Sequence, residues 1–183
     1  MNLFAIRAIM FNRRAKQQAE EVIEHLSIRS GDNIADLGSG GGYFLFKFAQ
    51  EVAPGKVYAV DTNKGLLRYI RQQRDLKQNT TIETIVADPE DPHLPRHSVD
   101  LIFVRNVFHH INNPEHYFKR LKSCLKPGGR IAIIEWRPHA AHGGHGTSEQ
   151  RVLGCMLTAG YTCTDSFTFL KAQSFNIFTE ATL

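Results

Sequence analysis

Two short stretches carry residue types able to do chemistry. In the first, Asp36-Leu-Gly-Ser-Gly-Gly-Gly42, an acid stands two residues ahead of alternate glycines. Gly38, Gly40 and Gly42, with Ser39 among them, let the backbone approach a ligand closely. A G-x-G-x-x-G fingerprint begun at Gly38 needs glycine where Tyr43 stands, and begun at Gly40 needs it where Leu45 stands. No Gly-Lys-Ser/Thr follows, so a phosphate-cradling P-loop is excluded as well. The second stretch, Arg105-Asn106-Val-Phe-His109-His110, offers imidazoles that can hydrogen-bond a nucleophile and, near an unperturbed pKa of ~6.5, take its proton. Adjacent side chains in an opening helical turn diverge by about 100°, so one histidine, not both, is expected at a reacting atom. A third group, His139, His142 and His145, has metal-capable spacing. Its glycine-rich loop would lose entropy in closing round an ion, so a solvated loop and no metal are expected.

These groups need elements to position them, and the chain supplies an alternation of helix and strand. Residues 17–26 carry apolar side chains at helical spacing, and a short strand over 33–37 runs straight into Gly38. Further apolar, β-branched strands are expected over 56–60, 81–86, 99–104 and 130–136, separated by helices near 41–53, 63–76 and 114–124. Nearly continuous apolar strands alternating with helices imply a parallel sheet covered on both faces. After a helix over 149–159, the segments 162–169 and 173–179 leave too few residues between them for a crossover, so they form an antiparallel hairpin. The glycine stretch then lies at the first strand-to-helix turn, where open α/β sheets bind ligands, and the histidine pair follows the fourth strand.

The pattern Asp36-x-Gly38-x-Gly40-x-Gly42 resembles motif I of the class I S-adenosylmethionine (SAM) dependent methyltransferases. Four further elements agree in order: Asp61 closing the second strand, Asp88 after the third, Asp100 to Val104 as the fourth, and Leu125-Lys-Pro-Gly-Gly129 before the fifth. The resemblance covers roughly residues 20–180 and implies an α/β Rossmann-like fold, a seven-stranded sheet of order 3-2-1-4-5-7-6 with five parallel strands and a C-terminal antiparallel hairpin. It also implies SAM as cofactor and S-adenosylhomocysteine as product. The cofactor would be held by Asp36, Gly38, Ser39, Gly40, Gly42, Asp61, Thr62, Asp88, Pro89 and Arg105. Asp61 would accept the ribose hydroxyls and Asp88 the adenine amino group. Pro89 lacks the N–H that the family usually directs at adenine, so either Glu90 donates or stacking and Asp88 hold the base.

The segment after strand four lacks the Asn/Asp-Pro-Pro-Tyr/Phe signature of base and glutamine amino methyltransferases, and the Pro-Cys pair of the C5-cytosine type. It resembles the histidine-bearing segment of the branch acting on small molecules, quinone precursors, lipids and metalloids, of which metalloids are disfavoured because the three scattered cysteines match no active-site cluster. His110, His109 and Asn106 are its candidate catalytic residues, with His110 placed first, and Glu135-Trp136-Arg137 follows strand five on the same sheet edge. The expected acceptor is a small or lipid-like molecule; a non-catalytic SAM-binding sensor or partner subunit is the alternative.

Composition is that of a globular protein: 183 residues, 42% hydrophobic and 22% charged, with no apolar run near the ~18 residues of a membrane span. The net charge of +4 is local, because Arg7, Arg13, Arg14 and Lys16 precede the first acid, Glu20, and the rest of the chain is balanced. A neutral body argues against nucleic acid. Residues 1–16 are expected to form an amphipathic lid or membrane-facing entrance, and residues 17–183 a single cofactor-binding domain. Cys124, Cys155 and Cys163 are odd in number and lack C-x-x-C spacing, which suits a reducing, cytoplasmic setting.

Overall fold

The computed structural model describes residues 3–16, 18–138, 140 and 145–181. Two compact units are present, Met1–Asp88 and Pro89–Leu183. Helices α1 (Leu3–Ala15), α2 (Ala19–His25), α3 (Tyr43–Glu51) and α4 (Lys64–Leu76) belong to the first unit with strands β1 (Ile34–Leu37), β2 (Val57–Asp61) and β3 (Ile82–Val86). The second unit holds β4 (Val99–Arg105), α5 (Pro114–Leu121), β5 (Leu125–Trp136), α6 (Glu149–Thr158), β6 (Tyr161–Phe167) and β7 (Gln173–Glu180).

All seven strands belong to one sheet of order β3-β2-β1-β4-β5-β7-β6, the order expected from the sequence. Pairing is parallel for β1 with β2, β2 with β3 and β4 with β5, and antiparallel for β7 with β5 and β6. The apolar runs form the core: β1 is buried throughout, and Val99, Leu101, Ile102, Phe103 and Val104 of β4 are inaccessible to solvent beside Ile131 to Ile134 of β5.

Strand β5 starts earlier than expected, at Leu125. Val99 faces Leu125 while Leu101 already faces Arg130, so the Lys-Pro-Gly-Gly segment bulges out of the ladder. Gly128, with φ +78°, takes the left-handed conformation there. The turn expected before the strand is therefore a bulge within it. At the other end of the unit, the Tyr161 hydroxyl donates 3.0 Å to the Phe118 carbonyl and pins the hairpin to α5.

Candidate functional site

In the first unit, the loop after β1 makes the expected sharp exit from the sheet. Gly38, Gly40 and Gly42 have φ of +71°, +53° and +80°. The N–H groups of Gly38 and Ser39 donate to the Val60 carbonyl at 2.7 and 3.3 Å, which ties the loop to the end of β2. The Gly40 N–H donates 3.1 Å to Asp61 Oδ2, and the Asn63 N–H 2.8 Å to Asp61 Oδ1. Loop and acid are thus one constellation. Burial pushes the Asp61 carboxyl above its ordinary pKa, against the opposing pull of the Asn63 and Gly40 N–H groups and the Arg7 charge. Thr62 is exposed; Asp36 lies in β1, buried. Asp88 follows Ala87, whose N–H donates 3.1 Å to the Asp61 carbonyl, so it sits one step beyond the β2 and β3 ends. Asp88 and Pro89 are both exposed, and Pro89 and Arg105 fall in the second unit.

Helix α1 lies on this loop. The Phe11 ring comes within 3.3 Å of where a Cβ on Gly40 would stand. A Cβ on Gly41 would collide with the Ala8 carbonyl and Asn12 Oδ1, so only glycine allows the helix this close. Among the described residues, two polar atoms at this contact are buried without a partner: Ser39 Oγ, in the loop, and Asn12 Oδ1, facing it. Such atoms cost stability unless something arrives to bond them. Helix α3 begins at Tyr43 behind Gly42, which offers no side-chain cap, an end that suits a carboxylate. Buried orphans, an uncapped helix start and an acid tied to a glycine turn together fit a ligand with hydroxyl, amino and carboxylate groups, as SAM has.

In the second unit, β4 ends at Arg105, and Asn106 turns the chain with φ +57°. Its N–H donates 2.8 Å to the Ile134 carbonyl, and its Oδ1 accepts 2.5 Å from Gln173 Nε2. Asn106 therefore braces the turn. Phe108–His110 then forms a 3-10 turn anchored by Phe108, which is buried and stacks on Phe118 at 5.5 Å. Parallel pairing of Arg105 with Ile134 brings Glu135, fully buried at the end of β5, to the same place. Glu135 Oε1 accepts 2.9 Å from His109 Nδ1 and 2.6 Å from the Trp136 N–H; Oε2 accepts 3.2 Å from the His109 N–H. Three donors on one buried carboxylate fix the His109 ring and place its Nδ1 hydrogen, leaving Nε2 as the acceptor of the neutral ring.

Among the described residues no carboxylate is bonded to His110; its ring lies 4.0 Å from that of His109, and the His145 ring lies 6.4 Å from that of His109. Burial, then the neighbouring His109 and His145 charges, push the His110 pKa below 6.5. Between that depressed value and ~6.5 the unfolded chain binds a proton that the folded chain refuses, so stability falls as the pH drops below ~6.5. His110→Gln should shrink the fall in urea midpoint between pH 7 and pH 5. A fall as large as in the parent would mean that other groups carry it. Arg137, the other cation expected here, is paired with Glu149 at 3.2 Å. His139 and His142 lie outside the described residues, and among the described residues no group of three or more His, Cys, Asp or Glu is placed to hold a metal.

Sequence reasoning named Glu135 and His109 but not their pairing, and it missed Gln173, Asn12 and Arg7. An acid among the apolar residues at the end of strand five was the available signal for the first; nothing local marked the others.

The Methyltransf_11 family model, a methyltransferase domain, matches residues 35–133, more than half of the chain. The chain is 28% identical over 116 residues to the ubiquinone/menaquinone biosynthesis C-methyltransferase UbiE of Pseudomonas savastanoi pv. phaseolicola, a match covering 62% of this chain and 45% of that protein. It is 29% identical over 119 residues to the UbiE of Francisella tularensis subsp. novicida, covering 64% and 48%. The chain thus spans about half the length of these curated relatives. Among solved structures, a SAM-dependent methyltransferase from Aquifex aeolicus superposes with a TM-score of 0.83 at 22% identity, over 93% of this chain and 97% of that one. One from Mesorhizobium loti superposes at 0.73 and 17% identity, over 88% and 96%. Both share the fold.

Proposed function

Because the chain belongs to the methyltransferase domain family, whose cofactor is SAM, we propose that it methylates a small phenol- or quinol-like acceptor, leaving S-adenosylhomocysteine as the other product. The observation that carries this reading is the His109–Glu135 pair. A buried carboxylate, held by two backbone N–H groups and bonded to one imidazole nitrogen, is redundant in a protein that only binds the cofactor, which disfavours the non-catalytic alternative. The quinol-like acceptor is drawn from the UbiE relatives, which are named as ubiquinone/menaquinone biosynthesis C-methyltransferases.

Asp61, Gly40, Ser39 and the start of α3 hold the cofactor, and Asn12 closes on it from α1. Bound SAM supplies an electrophilic methyl group on a sulfonium; the methyl–sulfur bond breaks as the acceptor's electron pair takes the methyl. The chain's own task is to orient the acceptor and move one proton. His109 Nε2 takes the acceptor's hydroxyl proton, which raises the electron density on the phenolic oxygen and its ring. Glu135, kept in place by the Trp136 and His109 N–H groups, steadies the imidazolium that results. We assign this role to His109 rather than His110, because only His109 has its second nitrogen committed to a carboxylate. Asn106 positions the turn and does not touch the reacting atoms. The three free thiols fit a cytoplasmic location, and no described helix is long and apolar enough to cross a membrane.

The test is a transfer assay with methyl-labelled SAM against hydroquinones, monophenols, phospholipids and RNA in parallel. Label is expected in a hydroquinone or phenol. Label in RNA alone, or in no acceptor of any class, overturns the reading.

A further inference from the structure

The inner side of α1 is committed to the glycine loop, which fixes what its outer side presents. Ala8 and Ala15 are buried, and Phe11 and Asn12 meet Gly40 and Gly41. At about 100° per residue, positions 6, 9, 10 and 13 point the opposite way. Ile6, Ile9 and Met10 there are 40%, 47% and 53% exposed. Among the described residues, four of the seven exposed large hydrophobics, these three and Phe4, belong to this one helix. Scattered exposed apolar residues need no explanation, but a cluster on one helix face does.

The charge around this face has one sign. Arg7, Arg13 and Lys16 are exposed along α1, and no acid precedes Glu20. Helix α4 packs beside α1, with the Phe4 ring against Gly65, and adds exposed Lys64 and Arg68. Apolar side chains set among cations on a helix lying flat on a domain match the chemistry of a bilayer surface with anionic headgroups, where the apolar residues sink about 5–10 Å and the cations stay at the phosphates. A second copy of this chain would bring like charge against like. RNA would use the cations but gain little from isoleucine and methionine.

We propose that the outer face of α1, Ile6, Ile9, Met10 and Arg13, docks the protein on an anionic lipid bilayer while its inner face stays on the glycine loop. This goes beyond the catalytic reading and does not depend on it, since neither cofactor nor acceptor takes part. It places the protein where water-poor acceptors are dissolved.

The experiment is co-sedimentation with vesicles of phosphatidylcholine alone and of equal parts phosphatidylcholine and phosphatidylglycerol. The protein should pellet with the anionic vesicles, stay in solution with the neutral ones, and be released by high salt. Arg13→Glu should weaken binding by about 25-fold, two units of charge at about fivefold each. Ile9→Glu with Met10→Glu should abolish binding, with thermal midpoint and SAM titration unchanged. Leu157→Glu, at an exposed apolar residue far along the chain, should bind as the parent does. No pelleting with anionic vesicles, or equal pelleting of the Ile9 and Met10 variant, overturns the proposal. So does sedimentation equilibrium showing that the face is covered by a second copy while vesicles are ignored. Failure of methyl transfer would leave the pelleting result untouched, so the two readings fail separately.

Discussion

His109→Gln should lower the methyl-transfer rate by about 10²–10⁴-fold while leaving SAM affinity within a factor of two or so, the range a positioned general base contributes. Glutamine can occupy the same place and still donate to Glu135, but it cannot carry a proton away. Glu135→Gln should act through His109. The amide removes the negative charge that steadies the imidazolium and puts a donor where one of the two carboxylate oxygens accepted, against the N–H groups of His109 and Trp136 that bond there at 2.6–3.2 Å. A comparable loss of kcat with KM little changed is the expected signature. The pH–rate profile should move as well, which a merely structural role for Glu135 would not do. Stability must be measured beside the rate, because a donor facing buried donors costs about 1–3 kcal/mol. If His109→Gln keeps the full rate and His110→Gln loses it, the proton acceptor is the other histidine. If neither loses rate, orientation of the acceptor suffices.

Asp61→Ala should weaken SAM by about 1–3 kcal/mol, or roughly 5- to 150-fold, through the loss of charge-assisted hydrogen bonds to two hydroxyls. The variant has a second effect: the Gly40 and Asn63 N–H groups lose their acceptor, so the loop and the start of α4 loosen together. Asp61→Asn keeps one carbonyl oxygen and should lie between. Burial raises the Asp61 pKa, and the hydroxyls bond best to the ionised form. Affinity is therefore full above the raised pKa and is lost as the pH falls through it, at a higher pH than an ordinary carboxylate near ~3.9 would give. Titration calorimetry from neutral pH into the acid range measures both. Unchanged affinity in Asp61→Ala would mean that the ribose is held elsewhere.

Much of this was legible because it is local. The alternation of apolar runs gave the parallel strands and the terminal hairpin, and the glycine register with the acid closing β2, each within a few residues, carried the family resemblance that implied the sheet order. What was not legible depends on register between distant strands. His109 meets Glu135 because Arg105 pairs with Ile134, and Asn106 meets Gln173 because Trp136 pairs with Gln173 across the antiparallel ladder. No spacing rule supplies those pairings. The preference for His110 rested on its match to the second histidine of the resembling family's segment; in the 3-10 turn the two rings lie 4.0 Å apart, and the carboxylate bonded to His109 is set by strand register that no local pattern carries. The amphipathic character of residues 1–16 was plain, but which face of α1 turns inward is set by contact with Gly40 and Gly41.

The most direct measurement of the central claim is calorimetric titration of the protein with SAM, S-adenosylhomocysteine and NAD at neutral pH. The Asp36 to Gly42 loop, its tie to Asp61 and the buried Ser39 and Asn12 oxygens predict one site that takes SAM and S-adenosylhomocysteine and refuses NAD. Binding of NAD more tightly than SAM would contradict it.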